Sequence, residues 1–187
     1  MKRFVVLGLV PVVACSIGAE ASGRGVANEV GCAQRAETSS PTSFNDPHFK
    51  GRRFRVVVGP VELRGVRTYA SPQAFAGLPR RDGYFPVKVA LVVRARRSLE
   101  LAVRGTDPRP VRLAYGTAEP KETLLVRSCA PNTPARTRPG VVGSGTVFTG
   151  TFEVPVAECV RLRITNRATR RVWRTRLAFG HRCSGAY

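Results

Sequence analysis

The sequence predicts an all-β protein, an antiparallel β-sandwich of about nine short strands. Val, Thr, Phe and Arg recur in short alternating runs, which is typical of strands with one buried face. The chain also contains 18 glycines and 14 prolines, which separate these runs as turn residues do. No stretch of about ten residues carries the apolar stripe of an amphipathic helix. A small closed β-barrel is the alternative arrangement of the same strands.

The N-terminus has the features of an export signal. Two basic residues precede an apolar run at 4–14, which is too short to remain as a membrane anchor. Residues 12–15 resemble a bacterial lipoprotein box, in which Cys15 becomes the lipidated first residue of the mature chain. We therefore expect a signal peptide at 1–14 and an extracytoplasmic protein, anchored by lipid on the outer face of the cell membrane.

An ordinary signal-peptidase site is the alternative. Residues 19–21 have the small-x-small pattern of such a site, and cleavage there would remove Cys15 together with the rest of 1–21. In that case the protein is secreted. The segment 15–48 is rich in Ser, Gly, Ala and Thr and has no apolar period, which predicts a flexible tether before a β domain at 49–187.

The first half of the β domain is expected to contain three strands and one helical turn. Strands at 54–58 and 61–63 are separated by Gly59-Pro60, which favours a bulge, a bend or a change of sheet. Ser71 followed by proline predicts a short helix, because Ser caps helices and proline suits their first position. Residues 85–95 form the most apolar run and should be a central strand.

The second half is expected to continue with strands at 99–103, 111–115, 123–127 and 147–154. Gly150 lies between two aromatic residues of the last of these, which leaves room for a neighbouring backbone or a bulge. The longest loop is expected at 131–145.

The closing hairpin is expected within 159–183, two alternating runs joined by a polar turn. Placing Ile164 opposite Trp173 gives one apolar face. The single tryptophan beside a cysteine is reminiscent of immunoglobulin-like cores, although the Cys-Trp-Cys order of antibody domains is not reproduced.

The same register aligns like charges on the other face, where Arg161 lies opposite Arg176 and Arg163 lies opposite Arg174. Like charges directly opposite each other on a sheet are destabilising. This face therefore needs solvent, distance or bound anions, and these four arginines are the candidate anion-binding residues.

Four cysteines remain after either cleavage, namely Cys32, Cys129, Cys159 and Cys183. An even number outside the cytoplasm favours disulfides over metal ligands, and four cysteines allow three pairings. We prefer Cys159 with Cys183, because the hairpin register brings both strand ends together. Cys32 with Cys129 then follows by elimination.

The formal charge of +19 makes anionic partners plausible, and arginine forks match phosphate and carboxylate geometry. The alternative is that the arginine content reflects genome composition and a solvated surface that keeps an exported protein soluble. We expect no nucleic-acid partner, because aromatic residues are few and mostly at core-like positions, and export removes the usual targets.

No catalytic residue, metal ligand set or cofactor motif is predicted. The sequence lacks HExxH, G-x-S-x-G, Walker and G-x-G-x-x-G patterns. His181 stands near a strand end, where a lone histidine is more often a surface residue. We expect a non-catalytic protein rather than an enzyme.

Three short motifs resemble those of uncharacterised exported proteins of high-GC Gram-positive bacteria, alongside the lipobox-like signal. They are Gly59-Pro60-Val61, Cys129-Ala130-Pro131 and the Cys-Val-Arg-Leu…Phe-Gly-His-Arg-Cys pattern of 159–183. The resemblance implies a small disulfide-bearing β domain at the cell envelope and carries over no site.

The expected function is therefore a cell-envelope or secreted binding or structural module. Its basic surface would bind an anionic envelope polymer, a lipid headgroup or an acidic protein. If Cys15 is lipidated, the lipid would also anchor the protein in the membrane. A secreted interaction protein, such as a hydrolase inhibitor or an accessory subunit, is the alternative.

Overall fold

The computed structural model describes residues 28–36, 42–117, 119–134 and 143–184. The predicted signal peptide, both cleavage sites and Cys15 lie outside these residues, as does most of the expected loop at 131–145. Strand makes up 45% of the structure and helix 10%, which confirms the all-β prediction.

The described chain contains twelve strands, three more than expected. They are β1 (Glu29–Val30), β2 (Val56–Val58), β3 (Val61–Arg64), β4 (Phe85–Lys88), β5 (Ala90–Arg94), β6 (Ser98–Arg104), β7 (Arg112–Tyr115), β8 (Thr123–Arg127), β9 (Gly145–Phe148), β10 (Gly150–Val154), β11 (Glu158–Asn166) and β12 (Val172–Phe179). Short 3-10 turns occur at Cys32–Gln34, Arg52–Phe54 and Val66–Tyr69.

The predicted helical turn is present as α1 (Pro72–Ala76). The hydroxyl of Ser71 accepts a hydrogen bond from the backbone N–H of Ala74, and proline occupies the first turn. This is the N-cap arrangement expected from the sequence.

The strands form three sheets, which are not closed into a barrel. Their strand orders are β1-β8-β6-β11-β12, β4-β10-β7 and β2-β3-β5-β9. All pairings are antiparallel except that of β1 with β8. The closed barrel is therefore wrong for this chain.

Two of the expected strands are each divided between two sheets, which accounts for part of the higher strand count. The run 85–95 breaks at Val89 into β4 and β5, and the run 147–154 breaks before Gly150 into β9 and β10. The two breaks lie side by side, because the backbone N–H of Val89 donates to the carbonyl of Gly150. The first part of such a strand pairs in one sheet and the second part pairs in another. The residue composition of the strand does not indicate where the change occurs.

Two glycines have the roles that their positions require. A Cβ on Gly150 would collide with the carbonyl of Ala114, which confirms the predicted close approach of a neighbouring backbone. Gly59-Pro60 is the two-residue turn of the β2–β3 hairpin rather than a bulge, because Val58 pairs with Val61 and Gly59 has a φ of 55°.

One apolar core joins the inner faces of the sheets. Phe152 of the three-stranded sheet contacts Phe179 of the five-stranded sheet, with ring centroids 5.6 Å apart, and packs edge-on against Tyr115. Burial therefore fixes which face of each strand points outward, and with it the position of the polar face described below.

Parts of the segment 15–48, predicted to be a flexible tether, are instead packed on the β domain. Residues 29–30 form β1, and Cys32 is bonded to Cys129. The backbone N–H of Asn45 donates to the carboxylate of Glu62, which is fully buried on the outer side of β3. The described residues of this segment are thus held on the β domain by a disulfide, by pairing with β8 and by a polar contact, none of which requires an apolar period.

Candidate anion-binding face

The closing hairpin has the register predicted from the sequence. β11 and β12 pair Ile164 with Trp173, Arg161 with Arg176, and Arg163 with Arg174. The Ile164 side faces the core, and the arginine side chains are exposed. The four predicted arginines therefore lie together on the outer face of the five-stranded sheet.

Both predicted disulfides are present, Cys32–Cys129 and Cys159–Cys183. Cys159 is paired with Ala178 in the sheet, and Cys183 lies a few residues beyond the end of β12. The second disulfide thus closes the base of the arginine-bearing hairpin, while the first attaches β1 and the following turn to the domain. Disulfides are consistent with an extracytoplasmic location.

A fifth arginine, which sequence reasoning missed, extends this face. β6 lies beside β11 on the side opposite β12, and Arg104 pairs with Arg161. Arg104, Arg161 and Arg176 therefore form a row across three adjacent strands, whose spacing is about 4.8 Å. Alternation along β6 indicates that Arg104 faces outward, but no local pattern indicates that β6 is the neighbour of β11.

These residues line an open groove with a volume of about 960 Å³, which we call the basic groove. It crosses β8, β6, β11 and β12, and it is lined by Ala102, Val103, Arg104, Glu122, Thr123, Arg161, Leu162, Arg163, Arg174, Thr175 and Arg176. Five of these residues are arginines and one is a carboxylate. The groove is therefore strongly positive.

The protein itself neutralises little of this charge. Arg163 has a long ion pair, at 3.5 Å, with Glu100, and both side chains are well exposed. Arg176 donates from Nη1 to the carbonyl of Ser184 at 2.8 Å. Within the described residues, the side chains of Arg104 and Arg161 have no ion pair or hydrogen bond. At least two guanidinium groups thus remain available to an external anion.

The outer face of the four-stranded sheet contrasts with this one, because residues 42–49 cover it around Glu62. Glu62, buried there, accepts hydrogen bonds from Arg55 at 3.0 Å and from Arg64 at 2.9 Å. Residues 42–49 lie over this face, where Arg64 stacks on Phe49 and Arg94 on Phe44. Glu62 is thus a structural carboxylate that holds the covering segment in place.

A second, smaller groove lies beyond the edge of the five-stranded sheet, between β12 and β2. It has a volume of about 450 Å³, and we call it the edge groove. Its lining consists of Arg52, Arg55, Val56, Val57, Val58, Arg67, Arg174 and Thr175, with no carboxylate. β12 and β2 are the outermost strands of their sheets, so each presents an open edge here.

The described residues contain no cluster of three or more His, Cys, Asp or Glu side chains that could hold a metal ion. His181 is exposed. The buried carboxylate of Glu158, at the start of β11, accepts hydrogen bonds from the backbone N–H and the hydroxyl of Thr106. Glu158 therefore has a structural role. Cys129 is oxidised in a disulfide.

In the described part of the chain, no helix has the length and apolar character needed to cross a membrane. Comparisons of the sequence with models of protein families, with curated proteins and with solved structures found no match.

Proposed function

We propose that this protein is an exported, non-catalytic binding module of the cell envelope, with an immunoglobulin-like β-sandwich fold. Its basic groove binds an anionic envelope component. The observation that carries this proposal is the row of Arg104, Arg161 and Arg176, which sets three like charges side by side on adjacent strands.

Such a row reduces the stability of the free protein. Each pair of like charges facing across strands costs roughly 0.2–1 kcal/mol. A bound anion converts this repulsion into attraction, since guanidinium groups form paired hydrogen bonds with phosphate and carboxylate oxygens. The arrangement is therefore unfavourable without a ligand and favourable with one.

The shape of the site favours an extended ligand. The groove crosses four strands, so a ligand that contacts both Thr123 and Arg174 must extend over about 14 Å at the usual strand spacing. A polymer with repeated phosphate or carboxylate groups fits this length and charge. An anchor at Cys15 would hold the domain near such polymers at the outer face of the membrane, whereas a secreted form would reach them by diffusion.

The test is binding of the purified domain to isolated cell envelopes at several salt concentrations. Charge reversal of Arg163 and Arg174 to glutamate is expected to weaken binding at least about tenfold and to reduce its salt sensitivity, because fewer counterions are then exchanged. Reversal of Arg81 and Arg96, which are exposed and lie outside both grooves, is the matched control. Equal binding by the two double variants would contradict the proposal.

A further inference from the structure

We infer that the anion-binding track continues from the basic groove around β12 into the edge groove, so that the ligand is a linear polyanion rather than a single headgroup. The inference rests on the proposed function and adds the ligand's form and a second contact region. Its first support is that Arg174 and Thr175 line both grooves.

The two grooves also follow one another in a single direction. The basic groove crosses β8, β6, β11 and β12 in the order in which these strands stand in the sheet. β12 ends that order, and β2 of the neighbouring sheet is in contact with it. A chain that lies across the sheet and leaves it at Arg174 therefore enters the edge groove next.

The charge of the edge groove suits the same ligand. Arg55 donates hydrogen bonds to Glu62 and to the carbonyl of Asp46, so its guanidinium group is less available to an external anion. Arg52 also lines the groove, is exposed, and has no side-chain hydrogen bond or ion pair within the described residues. Arg52, in the turn before β2, and Arg174, on β12, thus each present a cation to the groove, and the lining contains no carboxylate.

The geometry sets a minimum length for the ligand. Crossing four strands takes about 14 Å, and the step from β12 to β2, which approach within 8 Å between Cα atoms, adds up to about 8 Å. A chain of about 22 Å is therefore needed to contact both ends. A flat layer of headgroups cannot follow a track that turns around the edge of a sheet, and this favours a flexible chain over a lipid surface.

The test uses oligoglutamates of two lengths, with inorganic polyphosphate of matching lengths as the phosphate counterpart. An extended peptide gains about 3.4 Å per residue, so about four residues span the basic groove alone and about seven span both grooves. Binding is followed by the fluorescence of Trp173, the single tryptophan, which adjoins Arg174 and lies against Gly59 in the β2–β3 turn.

Arg52→Gln is expected to weaken binding of the long chain about two- to fivefold and to leave the short chain unchanged, as for the loss of one exposed ionic contact. Arg53→Gln is the matched control, because Arg53 lies in the same turn but outside the groove. Arg161→Gln is expected to weaken both lengths.

The two proposals fail in different ways. If Arg52→Gln leaves the long chain unaffected, or weakens both lengths equally, the continuous track is wrong while the basic groove stands. If Arg161→Gln affects neither length, the proposed function itself is contradicted. Phosphatidylglycerol vesicles are expected to bind without dependence on Arg52, and a dependence equal to that of the long chain would overturn the assignment to a linear polymer.

Discussion

Replacing Arg161 with glutamine is expected to stabilise the free protein while weakening its binding to polyanions. Arg161 is the middle residue of its row, with Arg104 on one side and Arg176 on the other, and no carboxylate pairs with it among the described residues. Its replacement removes two like-charge contacts. At roughly 0.2–1 kcal/mol for each contact, the expected gain is about 1 kcal/mol in the free energy of unfolding.

The assay is urea unfolding at low and at high salt. At about 1 M salt the screening length is about 3 Å, so the gain should nearly vanish there. In thermal unfolding the same gain corresponds to an increase in Tm of about 2–4 °C for a chain of this size.

Arg163→Gln is the matched control, because it removes the repulsion from Arg174 but also the attraction to Glu100 at 3.5 Å. Its effect on stability should be close to zero. Unchanged or lower stability of Arg161→Gln at low salt, or a gain that persists undiminished at high salt, would show that like-charge repulsion does not act across this row.

Three further predictions concern the rest of the structure and are tested by urea unfolding. Glu62→Gln should lower the free energy of unfolding by about 3 kcal/mol, because it leaves Arg55 and Arg64 partly buried without a counter-charge. The control Glu100→Gln, at an exposed ion pair, should change it by less than about 0.5 kcal/mol. Equal effects would contradict a structural role for Glu62. Removal of a disulfide should lower the free energy of unfolding more when the bond closes a longer loop. The expected losses are about 4.7 kcal/mol for Cys32→Ser with Cys129→Ser and about 3.5 kcal/mol for Cys159→Ser with Cys183→Ser. The reverse order would argue against loop entropy as the cause. Burial raises the pKa of Tyr115 far above its usual value near 10, so the unfolded state loses that proton first and the free energy of unfolding should fall as pH rises above about 10. Tyr115→Phe should remove this part of the decline. The same dependence of stability on pH in both proteins would contradict this explanation.

The closing hairpin was predictable in detail because its determinants are local. Val160, Leu162 and Ile164 alternate with arginines along one strand, and the other strand continues the pattern after a short turn. With a side-chain period of two, a shift by one residue would bury the arginines, so only one register is stable. The disulfide at its base followed from the same register.

The complete site was not predictable, because it depends on which strands are neighbours. Arg104 joins the row only because β6 pairs with β11, although more than fifty residues separate the two arginines that meet there. The edge groove likewise depends on β12 and β2, from opposite ends of the domain, coming together. Long-range pairing is set by the shared core, and the alternation within each strand does not encode it.

The covering segment at 42–49 was missed for a different physical reason. It is held by backbone donation from Asn45 to Glu62 and by arginines stacked on Phe44 and Phe49, not by an apolar period. Without such a period, residues 42–48 were predicted to belong to the tether. Glu62, a charged residue between two apolar ones in β3, was the available sign that something polar covers this face.

The most direct test of the central claim is an NMR titration that follows the arginine side-chain Nε–Hε signals as polyglutamate is added. The largest shifts are expected at the arginines of the basic groove, with little change at Arg81 and Arg96; those arginines are Arg104, Arg161, Arg163, Arg174 and Arg176. Shifts of similar size at all exposed arginines would contradict it, because the charge would then act only as a property of overall composition.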